Sequence, residues 1–253
     1  MILTVCKHIK ADEVRLYGFS DWHFGSAECE EELIKRDIET VRKDDNARVI
    51  ILGDLLQTDL KNSKGDIYHQ KYSPSQQRRM VRELLTPIKD KILSMQGGNH
   101  DEYRSEEDAT PIADMAEMLG VPYCLGETIL KIPVGKRKNN DNAFVYTFYG
   151  VHGWANGRKM GGKVNNLAGL TDVVPFADIY GIGHTHTQFT FKDVCYVPDL
   201  HNNQVLEKTR YFVNFGSYQG RGLYPMSKAM PGVCLGTPTI RLSGKEKKIT
   251  IEI

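Results

Sequence analysis

The sequence of 253 residues contains few cysteines, and their positions exclude two classes of protein. The five cysteines, at positions 6, 29, 124, 195 and 234, are odd in number and nowhere form a Cys-x-x-Cys pair. Small disulfide-linked domains have even numbers of cysteines at regular spacings, and thiolate zinc sites have closely paired ones. The cysteines therefore indicate a reducing compartment, without a disulfide framework or a thiolate zinc site.

Long apolar runs and an excess of one charge are also absent. No stretch approaches the ~18 consecutive apolar residues of a transmembrane helix. Residues 1–8 lack the apolar core and small-residue cleavage site of a signal peptide. Lysine and arginine number 33 against 32 aspartate and glutamate, so no overall field favours nucleic acid or a membrane surface. The sequence predicts a soluble, cytoplasmic protein with no membrane partner, in which any preference for a polyanion is local.

Apolar stretches in the first half of the chain alternate with segments of helical spacing. Three predicted strands and three predicted helices follow one another there: 14–20, 28–43, 48–52, 73–85, 92–96 and 111–119. The second half is predicted to be richer in strands: 127–134, 143–149, 177–182, 189–194 and 210–215, with a terminal β-hairpin at about 237–253. Alternation of strands and helices is typical of an α/β fold with a largely parallel sheet, whose functional sites lie at the carboxyl ends of the strands.

Short polar turns follow five of the predicted strands and contain five of the eight histidines. The turns are Asp21-x-His23, Gly53-Asp54, Gly98-Asn99-His100-Asp101, His152 and Gly183-His184-x-His186. Any one of them is also typical of an ordinary loop or of a histidine satisfied in the core. Five in order, each at a strand end, predict one shared site. Carboxylates, imidazoles and an amide without a thiolate suit Mn, Fe or Zn better than Ca or a structural zinc.

This series of turns resembles the motifs of the calcineurin-like metallophosphoesterases in residue type, order and approximate spacing. The resemblance covers residues 14–217, and residues 213–217 are similar to the Asn-x-Gly-Ser strand that often follows the last histidine. It implies an α/β fold of four layers, an αββα sandwich, formed as a single domain over residues 1–253. The motif-bearing core of that domain is expected at about 14–217.

The resemblance also implies two divalent metal ions, with Asp54 as the carboxylate that bridges them. The ligands it implies are Asp21, His23 and His186 for one ion, and Asn99, His152 and His184 for the other. Mn is the favoured metal, with Fe, Zn, Ni or Mg as alternatives. His100 would stand near the scissile phosphate as general acid or charge stabiliser, with Asp101 as its orienting partner.

Departures from the patterns of the family's subgroups favour a phosphodiesterase. The serine/threonine protein phosphatases usually contain Gly-Asp-x-Val-Asp-Arg-Gly and Gly-Asn-His-Glu, whereas residues 53–59 contain no arginine and position 101 is aspartate. Gly-Asn-His-Asp is closer to the nucleases and phosphodiesterases. The prediction is a metal-dependent phosphoric ester hydrolase that cleaves phosphodiesters in DNA, RNA or nucleotides. The alternatives are a phosphomonoesterase acting on a nucleotide or phosphoprotein, and a non-catalytic scaffold with the same fold.

Four basic residues near the motifs are candidates for binding an anionic substrate: Arg104, Arg158, Lys159 and Lys163. A solvated surface loop is the alternative for the glycine-rich stretch 157–163. Trp22 and Trp154 each neighbour a predicted ligand and are candidates for stacking on a base, with simple packing beside the metals as the alternative.

Overall fold

The computed structural model describes residues 3–60, 67–102, 110–136, 142–154, 159–222, 226 and 232–253. In chain order the elements are β1 (Leu3–Val5), β2 (Glu13–Phe19), α1 (Glu31–Lys43), β3 (Ala47–Leu52), α2 (Pro74–Leu85), β4 (Ile92–Gln96), α3 (Pro111–Leu119), β5 (Thr128–Val134), β6 (Phe144–Val151), α4 (Met160–Gly169), β7 (Ile179–Ile182), β8 (Gln188–Asp199), β9 (Gln204–Phe215), β10 (Thr239–Ser243) and β11 (Ile249–Glu252). Among the described residues no helix is both long and apolar enough to cross a membrane.

The helices of the first half form where the sequence gives start signals and an apolar face. In α1, Ile34, Ile38 and Val41 are buried on one side of the helix. Acidic residues lie in its first turn and basic residues in its last, the arrangement that the helix dipole favours. Ser73 caps α2 by accepting a hydrogen bond from the backbone of Gln76, in a capping box. The helices therefore confirm the predicted segments, although α1 begins three residues later than predicted.

The strands form two mixed sheets. The six-stranded sheet has the order β1-β5-β6-β7-β9-β8, and the five-stranded sheet has the order β11-β10-β2-β3-β4. The prediction of parallel pairing is confirmed for β2, β3 and β4. In the second half, where strands no longer alternate regularly with helices, β5 with β6 and β8 with β9 pair antiparallel, whereas β7 pairs parallel with both β6 and β9. The predicted terminal hairpin is present as β10 and β11, and β10 also pairs with β2.

The sheets and helices form four layers, and three apolar clusters fill the spaces between these layers. Side chains of both sheets, such as Leu16, Ile50 and Phe148, pack together between the sheets. The outer face of the five-stranded sheet packs against α1, α2 and α3, and the outer face of the six-stranded sheet packs against α4. Residues 49–52 of β3 are all buried because alternate side chains enter different layers. The αββα sandwich is confirmed.

Two features of the second half are not evident from the sequence. Helix α4 occupies part of the stretch that the sequence suggests as a glycine-rich loop, and it buries Asn166 and Leu167. Strands β8 and β9 each extend over 12 residues, about twice the predicted length, and pair throughout. Their outer ends are half-exposed, with side chains such as Tyr196 and Val205 open to solvent, so the apolar signal there is weak.

Candidate metal centre

All seven predicted metal ligands lie just beyond the carboxyl ends of strands. The five-stranded sheet supplies Asp21 and His23 after β2, Asp54 after β3, and Asn99 after β4; the six-stranded sheet supplies His152 after β6, and His184 and His186 after β7. Parallel strands present their carboxyl ends at one edge of a sheet, and the two sheets face each other here. The structure therefore brings all seven side chains to one place.

The two sheets touch at this edge because Gly183 has no side chain. A Cβ atom at Gly183 would lie 1.9 Å from Oγ of Ser20 and 2.6 Å from Oδ2 of Asp21. The next backbone N–H, that of His184, donates to Oδ2 of Asp21 across the seam at 2.7 Å. A glycine before the His-x-His pair is thus required by close approach, which lets ligands from both sheets meet.

Asp21, His23 and His186 form one group of donor atoms that lie within 4.8 Å of one another. Nε2 of His23 is 3.0 Å from Nε2 of His186, which is 3.2 Å from Oδ1 of Asp21. Oδ1 of Asp21 is buried and makes no hydrogen bond of good geometry. A buried carboxylate oxygen without a donor is costly to leave unpaired, and a cation would satisfy it.

Asp54, His152 and His184 form a second such group. Nε2 of His152 is 3.2 Å from Oδ2 of Asp54, 3.1 Å from Nδ1 of His184 and 3.1 Å from Oδ1 of Asn99. Nδ1 of His152 is 2.7 Å from the carbonyl oxygen of Leu52, a contact that fixes the ring and leaves Nε2 facing the group. Asp54 also groups with His23 and His100 and so lies between the two sets.

Five of these residues have backbone conformations that L-amino acids rarely adopt. The φ angles are 52° at Asp21, 46° at His23, 52° at Asp54, 61° at His184 and 49° at His186. Such left-handed conformations cost about 1–3 kcal/mol each and persist where the surroundings enforce them, often at functional sites. Among the described residues only two other non-glycine positions, Thr58 and Asn203, have a positive φ, so this strain is concentrated at positions whose side chains converge.

The carboxylates and imidazoles shift one another's pKa values. Burial raises the pKa of Asp21, but His186 and His23 outweigh that effect and hold the pKa well below its usual range. Burial lowers the pKa of His152, but the Asp54 carboxylate more than offsets it and raises this pKa to about 10. Burial raises the pKa of Asp54 too, but His152 and His23 outweigh that effect and hold it well below its usual range. Both carboxyl groups are therefore held as anions, the form in which they would bind a cation.

These observations fit a pair of divalent ions. The donors are nitrogen and oxygen atoms only, they converge in two groups, and one buried carboxylate oxygen has no donor. His–Asp sets of this kind suit transition metals such as Mn, Fe or Zn. The histidine and aspartate clusters are compatible with a dinuclear metal site.

His100 lies beside both groups and is only partly buried. Its backbone N–H donates to Oδ1 of Asp54 at 2.7 Å, and its ring centroid is 4.4 Å from that of His23 in an edge-to-face arrangement. Nδ1 of His100 is 3.2 Å from the carbonyl oxygen of Gln57. The location is suitable for proton transfer at the site, and that role stays a prediction.

Asp101 is fully buried and binds backbone groups of two turns. Its Oδ2 accepts hydrogen bonds from the N–H groups of Leu55 and Gly98, and its Oδ1 accepts one from Leu56. The carboxylate thus joins the Gly53-Asp54 turn to the turn that carries His100. Burial and the nearby Asp54 raise the pKa of Asp101 to about 7. Orientation of the His100 ring by Asp101 stays a prediction.

We expect Asp101→Ala to destabilise the metal-free protein strongly. It leaves three buried N–H donors without a partner, at ~1–3 kcal/mol each, so the free energy of unfolding should fall by at least ~3 kcal/mol. Urea unfolding followed by circular dichroism measures the loss, with Asp101→Asn, which keeps an acceptor oxygen, as the milder control. Wild-type stability in Asp101→Ala, together with lost activity, would instead favour the orienting role.

Gln57 is a candidate functional residue that the sequence analysis missed. Its Oε1 is 3.0 Å from Nδ1 of His23, and its Nε2 donates to Oδ2 of Asp59 at 2.9 Å. Through its Oε1 and its backbone carbonyl, Gln57 thus contacts the Nδ1 atoms of two imidazoles of the site, those of His23 and His100. The sequence signal for Gln57 is its position three residues after Asp54. A short turn at the end of β3 can bring a residue at that spacing back to the sheet edge at which Asp54 lies.

The predicted substrate contacts are placed unevenly. Arg104 and Arg158 lie outside the described residues, Lys159 is exposed just before α4, and Lys163 is partly buried on α4. For Trp22 the packing alternative is confirmed, because its indole is fully buried against Phe19 and Tyr218 and closed to stacking on a base. Trp154, two residues after His152, is 48% exposed, so its side chain is open to a ligand.

The layered fold and the converging motif residues are those that the resemblance implies. The two packed sheets with helices on their outer faces form the four-layer αββα arrangement that the resemblance to the calcineurin-like metallophosphoesterases implies. No protein-family model and no curated protein matches the sequence. Solved structures with a similar arrangement include a metallophosphoesterase from Sphaerobacter thermophilus (12% identity, TM-score 0.46, covering 94% of this chain and 87% of that one).

Two further solved structures are similar to the chain. A predicted phosphoesterase from Streptococcus pneumoniae TIGR4 has 13% identity and a TM-score of 0.41, covering 94% of this chain and 88% of that one. A Vps29 variant from Entamoeba histolytica has 15% identity and a TM-score of 0.43, covering 94% and 89%. Identity is low in each case, so we infer what the chain does from its own residues.

Proposed function

We propose that this protein is a dinuclear metal-dependent phosphodiesterase that hydrolyses phosphodiester bonds in nucleic acid or nucleotides. The observation that carries the proposal is the convergence of two nitrogen-and-oxygen donor groups on the Asp54 carboxylate. In the proposed arrangement Asp21, His23 and His186 would hold one ion and Asn99, His152 and His184 the other, with Asp54 as the carboxylate shared between them. When bound, such a pair of ions stabilises charge on the phosphate and lowers the pKa of a bound water.

His100 is the residue we assign to proton transfer. It is partly exposed, its backbone N–H donates to Asp54, and its Nδ1 lies 3.2 Å from the carbonyl oxygen of Gln57. The leaving oxygen of a phosphodiester needs a proton as the bond breaks, and a positioned imidazole can donate one near neutral pH. Asp101 would keep this turn in register with the Gly53-Asp54 turn.

Two features favour a diester over a monoester substrate. A phosphate monoester carries up to two negative charges and is usually held by cationic side chains. The position at which the family's protein phosphatases have an arginine is Thr58, which is neutral and buried. The exposed indole of Trp154 offers a face on which a base could stack, as a nucleic acid or nucleotide would use.

Hydrolysis of two chromogenic esters tests the proposal. Protein stripped of metal and refilled with Mn²⁺ is expected to cleave bis-p-nitrophenyl phosphate faster than p-nitrophenyl phosphate, with turnover lost on renewed chelation. Diester turnover would then be followed on single- and double-stranded DNA, RNA and cyclic nucleotides. A preference for the monoester would contradict the diester assignment, and two bound ions without turnover on any of these substrates would favour a non-catalytic scaffold.

A further inference from the structure

The turn at residues 183–187, here the His-x-His turn, has a backbone that needs external support. His184 and His186 are both left-handed, with φ of 61° and 49°, and Thr185 lies between them. Within the turn, the N–H of Thr185 donates to the carbonyl oxygen of Gly183 at 2.6 Å. Since alternating left-handed residues are unfavourable in isolation, the groups that hold Thr185 decide where both imidazoles lie.

Lys163 holds Thr185 from the outer helix layer. Its Nζ donates to the carbonyl oxygen of Thr185 at 3.2 Å and also to Oγ1 of Thr187. The hydroxyl of Thr187 donates in turn to the same carbonyl oxygen at 3.0 Å. The carbonyl of Thr185 thus accepts two hydrogen bonds, one of them from an ammonium group, and charge-assisted bonds are the stronger kind.

Asn214 holds the same residue from the opposite side. It lies near the end of β9, is fully buried, and donates from Nδ2 to Oγ1 of Thr185 at 2.7 Å. Thr185 is therefore held by its carbonyl from α4 and by its hydroxyl from β9. Both supports come from elements other than the strand that leads into the turn, so the position of the turn depends on tertiary packing.

We propose that Lys163 and Asn214 are positioning residues that hold the His-x-His turn in the conformation in which His184 and His186 bind metal. This inference rests on the proposed metal centre. It gives Lys163 a different task from contact with the substrate phosphate, because two of its three N–H donors are already used within the turn. It also gives α4 a function, since this helix brings Lys163 to the turn.

Metal binding to the purified full chain tests the inference, with Mn²⁺ as the probe. Calorimetric titration of metal-stripped protein should show Lys163→Met and Thr185→Val raising the Kd for Mn²⁺ by ~10–100-fold, the usual effect of losing a group that supports a metal ligand. Lys163→Arg should bind close to wild type, because guanidinium N–H groups can still donate. Lys192→Met, which removes an exposed lysine on β8, is the matched control and should leave the Kd unchanged.

At saturating Mn²⁺ the KM for bis-p-nitrophenyl phosphate should be close to wild type in Lys163→Met. An unchanged Kd for Mn²⁺ together with a raised KM would overturn the inference and make Lys163 a substrate contact. If Lys163→Met does not fold, Thr185→Val decides alone, and an unchanged Kd in that variant also overturns the inference. Wild-type protein that binds no Mn²⁺ would instead overturn the proposed function on which the inference rests.

Discussion

Replacing His100 by alanine is expected to lower the turnover of a phosphodiester by ~10²–10⁴-fold, the usual contribution of a positioned general acid or base. The Mn²⁺ content should stay at the wild-type value. The backbone N–H of His100 donates to Oδ1 of Asp54, and that contact survives the substitution. Steady-state kinetics on bis-p-nitrophenyl phosphate and elemental analysis of the same samples measure the two effects.

The effects of His100→Ala on kcat and on KM distinguish a role in proton transfer from a role in substrate binding. If His100 acts only in the transition state, kcat falls and KM changes little, because binding in the ground state is kept. His201→Ala, at the exposed turn between β8 and β9, is the matched control and should have no effect. Wild-type turnover in His100→Ala would remove this residue from the mechanism, and loss of metal would assign it to the ligands instead.

Replacing Asp54 by asparagine is expected to weaken metal binding strongly and to lower turnover. The substitution keeps the shape of the side chain and removes the charge that faces His152 and His23. Loss of a supporting group costs ~10–100-fold in metal affinity, so loss of the proposed bridging ligand should cost at least ~100-fold. Titration of metal-stripped Asp54→Asn with Mn²⁺ measures the affinity, and turnover is assayed at the highest Mn²⁺ concentration used.

Asp45→Asn makes the same chemical change at an exposed position after α1 and should leave metal binding intact. Thermal unfolding of metal-free Asp54→Asn shows whether the fold persists. Two Mn²⁺ ions bound to Asp54→Asn with wild-type affinity would contradict the bridging role. One ion bound with high affinity would mean that Asp54 serves a single ion, in which case the two donor groups act separately.

The residues of the candidate site could be predicted from the sequence because their chemistry is visible in local sequence patterns. Apolar stretches such as residues 48–52 and 92–96 end abruptly in Gly-Asp or Gly-Gly-Asn-His, and donors for a shared site have to lie at strand ends. Strand β4 and helix α3 have the predicted bounds for a related reason, since turn residues or a proline at the first helical position mark where they begin or end.

The features that could not be predicted from the sequence are those that depend on tertiary contacts. Helix α4 begins with Met160-Gly161-Gly162, a stretch of low helix propensity, and is stabilised by packing Leu167 against the six-stranded sheet. The backbone hydrogen bonds of Asp101 connect residues more than 40 positions apart, and no local pattern indicates them. The complete burial of Trp22 could not be predicted from the sequence either, because a tryptophan beside a metal ligand can equally well stack on a base or pack in the core.

The two sheets meet where Gly183 lies against Ser20 and Asp21, and a metal ion bound there would affect the stability of their packing. One wall of the site comes from the first hundred residues of the chain and the other from residues 152–186. An ion held by both walls would act as a crosslink between two halves that are otherwise joined mainly by apolar packing. Its binding free energy would add to the free energy needed to separate the two sheets, so the free energy of unfolding would increase with occupancy of the metal centre.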